Sequence, residues 1–203
     1  MKRFIVAISG ATGAIYGIRL LEALAQQQEV ETHLVMSNWA RETIAIETNY
    51  SADEVMKLAD YSHDLKNVGA PLASGSFRAV GMAVVPCSMK TLSAIAHGLA
   101  DNLIIRAADV MLKEKRKLIL VPRETPLNMI HLENMMKAAR AGASLLPPMP
   151  AYYNNPKTID DIVNHLVGRI LDHFDLPNNM VKRWGEHCGT GPGKDFDLKV
   201  VIK

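Results

Sequence analysis

Ser9-Gly10-Ala11-Thr12-Gly13-Ala14 joins an apolar run at residues 4–8 to a segment with helical periodicity. A strand-to-helix turn of this kind presents free backbone N–H groups and the positive end of a helix to an anion, and glycine lets a ligand come close to the backbone. The glycines stand at 10, 13 and 17, which is not the GxGxxG spacing of dinucleotide folds. Ser37 and Asn38 end the second apolar run, where a nicotinamide site needs an acid, so a dehydrogenase reading loses its support. A tight turn without ligand accounts for the loop equally well. Pro86-Cys87-Ser88-Met89-Lys90-Thr91 follows the third apolar run and again leads into a helical pattern. Ser88, Lys90 and Thr91 offer hydroxyl, cationic and backbone donors there, or cap an ordinary helix.

The fourth run delivers Arg123 and Glu124 side by side. A guanidinium grips a phosphate through a planar fork, and a neighbouring carboxyl group can move protons. A surface ion pair is the plain alternative. Tyr152 and Tyr153 lie in a proline-rich stretch, 146–153, which reads as an ordered loop, and Arg169 interrupts an apolar helix segment. A guanidinium so placed is either on an exposed helix face or needs an anion. Lys113 belongs to a charged helix end and reads as solvated. Trp184 can seal a ring-binding pocket or anchor the C-terminus.

Four β-branched apolar runs, at 4–8, 32–36, 82–85 and 118–121, must position these groups. Between and after them, helical patterns cover 15–27, 40–47, 53–58, 92–97, 106–115, 131–141 and 160–174, with starts led by Asp53 and by Asp160-Asp161. Alternation of this kind predicts a parallel sheet covered on both faces, with ligands at the carboxyl ends of its strands. A further strand is possible at 199–202. The chain of 203 residues, 48% hydrophobic and 22% charged, suits one domain. A formal charge of +2 points to neither nucleic acid nor an anionic membrane, so any anionic ligand must be met locally. No apolar run is long enough to span a bilayer, and the N-terminus reads as a strand, so a cytoplasmic location is expected. Cys87 and Cys188 stand far apart without metal-ligand spacing and read as free thiols; no metal site is indicated.

The segments GATGAIYG, ETHLVMS, ASGSFR, PCSMKTL, RAADVMLKEKRKL, VPRETPL, HLENM, PPMPAYYNNP and RW, in this order and spacing, resemble the UbiX-like flavin prenyltransferases, including the small subunits that accompany phenolic acid decarboxylases. The likeness runs from Lys2 to Trp184, which delimits a flavoprotein domain at 1–184 and leaves a tail, 185–203, without a recognised counterpart. It implies a Rossmann-like or flavodoxin-like three-layer α/β sandwich with a mostly parallel sheet. It also implies transfer of a dimethylallyl group from dimethylallyl phosphate to reduced FMN, first at N5 and then by ring closure at C6. The prenylated FMN would serve a UbiD-type decarboxylase, and the enzyme would be a homo-oligomer, typically a dodecamer.

By the same resemblance Gly10, Ala11, Thr12, Ser37, Ser88, Met89, Lys90, Thr91 and Arg123 contact FMN. Lys113, Glu124, Tyr153 and Arg169 surround the donor phosphate, Trp184 joins the substrate residues, and Thr12, Glu47, Lys113 and Glu124 form the catalytic set. Thr12 stands where many members carry Ser. The residue types suit the chemistry: loss of phosphate from an allylic carbon leaves a delocalised cation, which asks for cations and donors on the phosphate and an apolar, aromatic surround for the prenyl group. A flavin-dependent cysteine decarboxylase would carry a PxMNxxMW-type segment, of which Pro126-Leu127-Asn128-Met129 is only a partial echo. A non-catalytic flavin carrier would not need the donor-phosphate set.

Overall fold

A computed structural model describes residues 1–181. Trp184, Cys188, the tail 185–203 and the strand anticipated at 199–202 lie outside the described residues. The elements follow in the order β1 (Lys2–Ile8), α1 (Ala14–Ala25), β2 (Val30–Met36), α2 (Asn38–Glu47), α3 (Ala52–Lys57), β3 (Tyr61–His63), a 3₁₀ turn (Pro71–Ala73), β4 (Gly81–Cys87), α4 (Met89–His97), α5 (Leu103–Lys113), β5 (Lys117–Pro122), α6 (Met129–Arg140), β6 (Ser144–Leu145) and α7 (Ile159–His173). The sheet runs β3-β2-β1-β4-β5-β6, and every neighbouring pair is parallel. This is the doubly wound order in which the chain leaves β1 to one side and returns to β4 on the other.

Both faces of the central strands are buried, which explains their unbroken apolar runs. Phe4, Val6 and Ile8 of β1 pack with Ile18 and Leu21 of α1 and with Val167 and Ile170 of α7. Ile5 and Ala7, pointing the other way, pack with Leu92 of α4 and with Ala107 and Val110 of α5. Helices α1, α2, α3 and α7 thus cover one face, and α4, α5 and α6 the other. Strands β3 and β6, at the two edges, are new relative to the sequence. Tyr61-Ser62-His63 lacks an apolar run, and Ser144-Leu145 is too short to show a period.

The starts of α3 and α7 differ from expectation. Ser51 caps α3 and Thr158 caps α7, each accepting the third backbone N–H, while Glu54 and Asp161 reach back to the cap. Asp53 and Asp160 lie within the first turns, where their charge favours the helix without capping it. Helix α1 crosses close over the sheet at Gly17, where an added Cβ would stand 2.5 Å from the Val85 carbonyl oxygen and 2.9 Å from Ile8 Cδ1. The Asp60 carboxylate ties the entry to β3 onto β2, accepting from Thr32 N–H at 2.7 Å and from its hydroxyl at 2.9 Å.

Gly17→Ala is expected to destabilise the fold by about 1–3 kcal/mol through overpacking, read from the urea midpoint. The backbone N–H of Thr32, then its hydroxyl, hold the Asp60 carboxyl below its usual range. A depressed folded value means that the stabilisation is present above the unfolded value of about 3.9 and is lost as pH falls through the folded one. Urea titrations between neutral pH and pH 3 should therefore show a shallower acid loss in Asp60→Asn than in the unmodified chain. Equal slopes would remove Asp60 from the account.

Candidate functional site

The carboxyl ends of β1, β2 and β4 deliver three polar segments to one edge of the sheet, at the point where the connections diverge. Ser9 organises this point. Its buried hydroxyl donates to the Pro86 carbonyl at 3.0 Å and accepts from Ser88 N–H at 2.8 Å, and its own N–H bonds the same carbonyl at 3.2 Å. The ends of β1 and β4 are thereby locked together. A cleft of ≈ 280 Å³ opens beside them, lined by Gly10, Ser37, Ser88, Lys90 and Thr91 among others. These five are among the residues expected to meet a flavin.

Helices α2 and α4 point their N-termini at this cleft, and Asn102, which caps α5, lines it as well. Ser37 caps α2, accepting from Ala40 N–H at 3.0 Å, and Ser88 caps α4, accepting from Thr91 N–H at 3.2 Å and donating to Thr91 Oγ1 at 3.1 Å. The capping alternative raised for the Ser88 segment is therefore correct for Ser88, Ser37 proves to be a cap as well, and neither cap competes with ligand binding. A cap uses one first-turn N–H and leaves those at Asn38, Trp39, Met89 and Lys90 without helical partners. Gly10 completes the cradle, because a Cβ there would collide with Cβ of Trp39. Donors, a cationic Lys90 and a wall without a side chain suit the phosphate end of a flavin nucleotide.

The third N-terminus, that of α1, is already engaged. Glu47 Oε2 at the end of α2 accepts from Gly13 N–H at 2.8 Å and Ala14 N–H at 3.2 Å. The anion anticipated at this turn is thus a carboxylate of the chain itself, which leaves the N-termini of α2 and α4 open towards the cleft. The same contact sets Glu47 beside Thr12, which is exposed next to Gly13. Ala11 is half-buried in the same turn, its N–H bonded to the Ser9 carbonyl. Met89 packs its side chain towards the core under α4 and α5. Arg123 is exposed beyond β5, outside the cleft lining, with its N–H anchored on the Cys87 carbonyl at 3.2 Å. Burial pushes the Cys87 thiol far up, so it stays protonated and inert.

The donor-phosphate residues are not brought together within one chain. Glu124 is exposed at the carboxyl end of β5, where its Oε1 accepts from Thr125 N–H. Lys113 ends α5, four residues before β5 begins, so it lies at the opposite edge of the sheet and pairs there with Glu114. Arg169 lies on α7, on the other face from α5, half-exposed and 3.4 Å from Asp172. The ring of Tyr153 stands edge-on to His165 at 5.8 Å. Within a single chain, exposure is thus the correct reading for both Lys113 and Arg169. Residues missed from the sequence include Ser9 and Asn102, the latter capping α5 and lining the cleft. Ser9 had a signal, a polar residue closing an apolar strand; Asn102 had only a helix-cap pattern.

Residues 1–171 match the flavoprotein family model. A probable UbiX-like flavin prenyltransferase from Streptomyces sp. (strain D7) is 60% identical over 195 residues, 96% of this chain and 98% of the relative. That match leaves eight residues of the 203 outside it, so at least eleven of the nineteen tail residues have a counterpart in this relative, beyond Trp184 where the recognised motifs end. The dodecameric FMN-dependent UbiX-like decarboxylase from Escherichia coli O157:H7 superposes with a TM-score of 0.88 at 57% identity, covering 90% of this chain and 98% of its own. AnUbiX (PadA1), solved in complex with FMN and dimethylallyl pyrophosphate, gives the same TM-score of 0.88 at 56% identity, over 90% of this chain and 97% of its own. The chain belongs to the flavoprotein family and, within it, to the UbiX-like flavin prenyltransferases.

Proposed function

We propose that this protein prenylates reduced FMN, using dimethylallyl phosphate as donor, and passes prenylated FMN to a UbiD-type decarboxylase. The observation that carries this reading is the cleft at the β1/β4 divergence, where two helix N-termini and Gly10 form a phosphate cradle in a chain 60% identical to a probable flavin prenyltransferase. Bound reduced FMN supplies the nucleophile, first N5 and then C6. Gly10, Ala11, Thr12, Ser37, Ser88, Met89, Lys90, Thr91 and Arg123 hold it, the helix N-termini taking the phosphate and Arg123 reaching in from β5. No metal is required, since fixed side-chain cations can neutralise the donor phosphate.

As the allylic carbon–oxygen bond breaks, its electron pair leaves with the phosphate. Lys113, Arg169 and Tyr153 stabilise that charge, and Glu124 protonates the departing oxygen or relays protons. Glu47, fixed by two N–H donors beside Thr12, is placed to accept a proton released as the new bonds form. Trp184 belongs to the substrate surround in this reading. Because Lys113, Glu124 and Arg169 lie on two faces and two edges of one sheet, the donor site is assembled from more than one copy, in keeping with the dodecameric relative. Residues 1–184 form the flavoprotein domain and 185–203 an appended segment. No helix among the described residues is long and apolar enough to cross a membrane. A cytoplasmic location fits the use of a reduced flavin.

Anaerobic incubation of the protein with reduced FMN and dimethylallyl phosphate, followed by mass spectrometry of the extracted flavin, should show the gain of one prenyl unit. Unmodified FMN despite tight binding would sink the transferase reading. Glu124→Gln and Lys113→Ala should each retain FMN affinity while slowing turnover by about 10²-fold or more. Wild-type rates in both would refute the donor-site assignment. For the cofactor site, Arg123→Ala should weaken FMN, by equilibrium fluorescence titration; unchanged affinity would remove it from that set.

A further inference from the structure

Beyond Asn38 and Leu65, which also line the flavin cleft, the surface opens into a larger groove of ≈ 480 Å³ between α2 and α3 on one side and β3 with residues 64–66 on the other. None of the residues peculiar to this groove has a part in the proposed prenyl transfer. Its composition is nevertheless specific. Arg41 and Lys66 bring two cations, Asp64 one acid, and Met36, Met56 and Leu65 an apolar wall. The acid is turned to its own loop, where Asp64 Oδ1 accepts from Lys66 N–H at 2.9 Å.

Arg41 is the informative residue. Its side chain is half-buried, yet the hydrogen bond found for its guanidinium among the described residues is to Met56 Sδ, at 3.5 Å. A thioether is a weak acceptor, and a guanidinium carries five donors in a planar fork suited to carboxylate or phosphate. The opposite wall is fixed by a chain of contacts. His63 Nε2 meets His33 Nδ1 at 3.0 Å, His33 Nε2 meets Glu31 Oε1 at 2.9 Å, and Arg3 Nε donates to the same carboxylate oxygen at 2.9 Å. Burial holds His63 below its usual range, so near neutrality it contributes hydrogen bonding to the groove and no charge.

We propose that this groove is a phosphoryl-binding subsite adjoining the flavin cleft, with Arg41 and Lys66 as its cationic ligands. Its position limits what can bring the phosphoryl group. If the flavin phosphate sits at the N-termini of α2 and α4, as the proposed function has it, a second phosphate joined to it emerges at Asn38 and enters this groove, with an adenosine against Met36, Met56 and Leu65. Flavin adenine dinucleotide has that form. Free inorganic phosphate is the other source of the same chemistry.

Full-length protein loaded with FMN provides both arms of the test. Addition of FAD should displace FMN, and Arg41→Gln and Lys66→Gln should each weaken FAD at least fivefold while FMN stays within twofold. Alternatively, calorimetric titration of the FMN-loaded protein with inorganic phosphate should show binding that Arg41→Gln abolishes, which assigns the free anion as occupant. The proposal is overturned if neither ligand responds to either substitution, or if FMN and FAD weaken in parallel. Failure of FMN itself to bind would sink the flavin reading alone, since inorganic phosphate titrated into the ligand-free protein and its Arg41→Gln variant still tests the groove.

Discussion

The site depends on one hydroxyl. Ser9 Oγ spans the gap between the ends of β1 and β4, giving its proton to the Pro86 carbonyl and taking one from Ser88 N–H. In a doubly wound sheet these strand ends must splay, because the connections leave in opposite directions, and splaying strands strand polar backbone groups in a dry interior. A buried serine satisfies one donor and one acceptor at once. It thereby fixes the direction in which α4 departs, and with it the aim of the Ser88 cap and the Thr91 hydroxyl. The crevice has its shape because this junction cannot relax.

Around that junction, the N-termini of α1, α2 and α4 converge and their positive ends are shared out unequally. Glu47 neutralises α1, whereas α2 and α4 retain free N–H groups facing the cleft. An uncompensated cluster of three would raise the local potential without improving selectivity. One internal carboxylate leaves a smaller field aimed at one place, and stands next to Thr12. A cap occupies one first-turn N–H and leaves others open, so a serine that caps a helix is no less a ligand candidate for doing so.

Much of this was legible in the sequence, for identifiable reasons. The four central strands announce themselves because both faces are buried, and the seven helices among the described residues through their apolar stripes. Gly10 and the polar Ser37, Ser88, Lys90 and Thr91 of the cleft were legible as strand-end residues, since a parallel sheet must present them at one edge. Edge strands β3 and β6 were not, being polar or only two residues long. Cap positions slipped by two residues at α3 and α7, because an acid in the first turn and an acid closing a capping box look alike until the side chains are placed. Nor was the allocation of α1 to Glu47 readable, since it joins groups 34 residues apart. The dispersal of Lys113, Glu124 and Arg169 is of another kind. Motifs record which residues are present, and proximity across copies is not written along one chain.

The brevity of the two outer strands also bears on how copies of this molecule can associate. Three residues at Tyr61–His63 and two at Ser144–Leu145 offer too few unpaired backbone groups to template an added strand. A long free edge would invite runaway ribbon growth. Here the ladder stops within each molecule, and α6 leaves Met129, Ile130 and Met136 exposed as apolar side-chain surface. Side-chain surfaces match only in particular orientations, so an association built on them stops at a definite size where its rotation closes, whereas strand pairing continues for as long as material lasts.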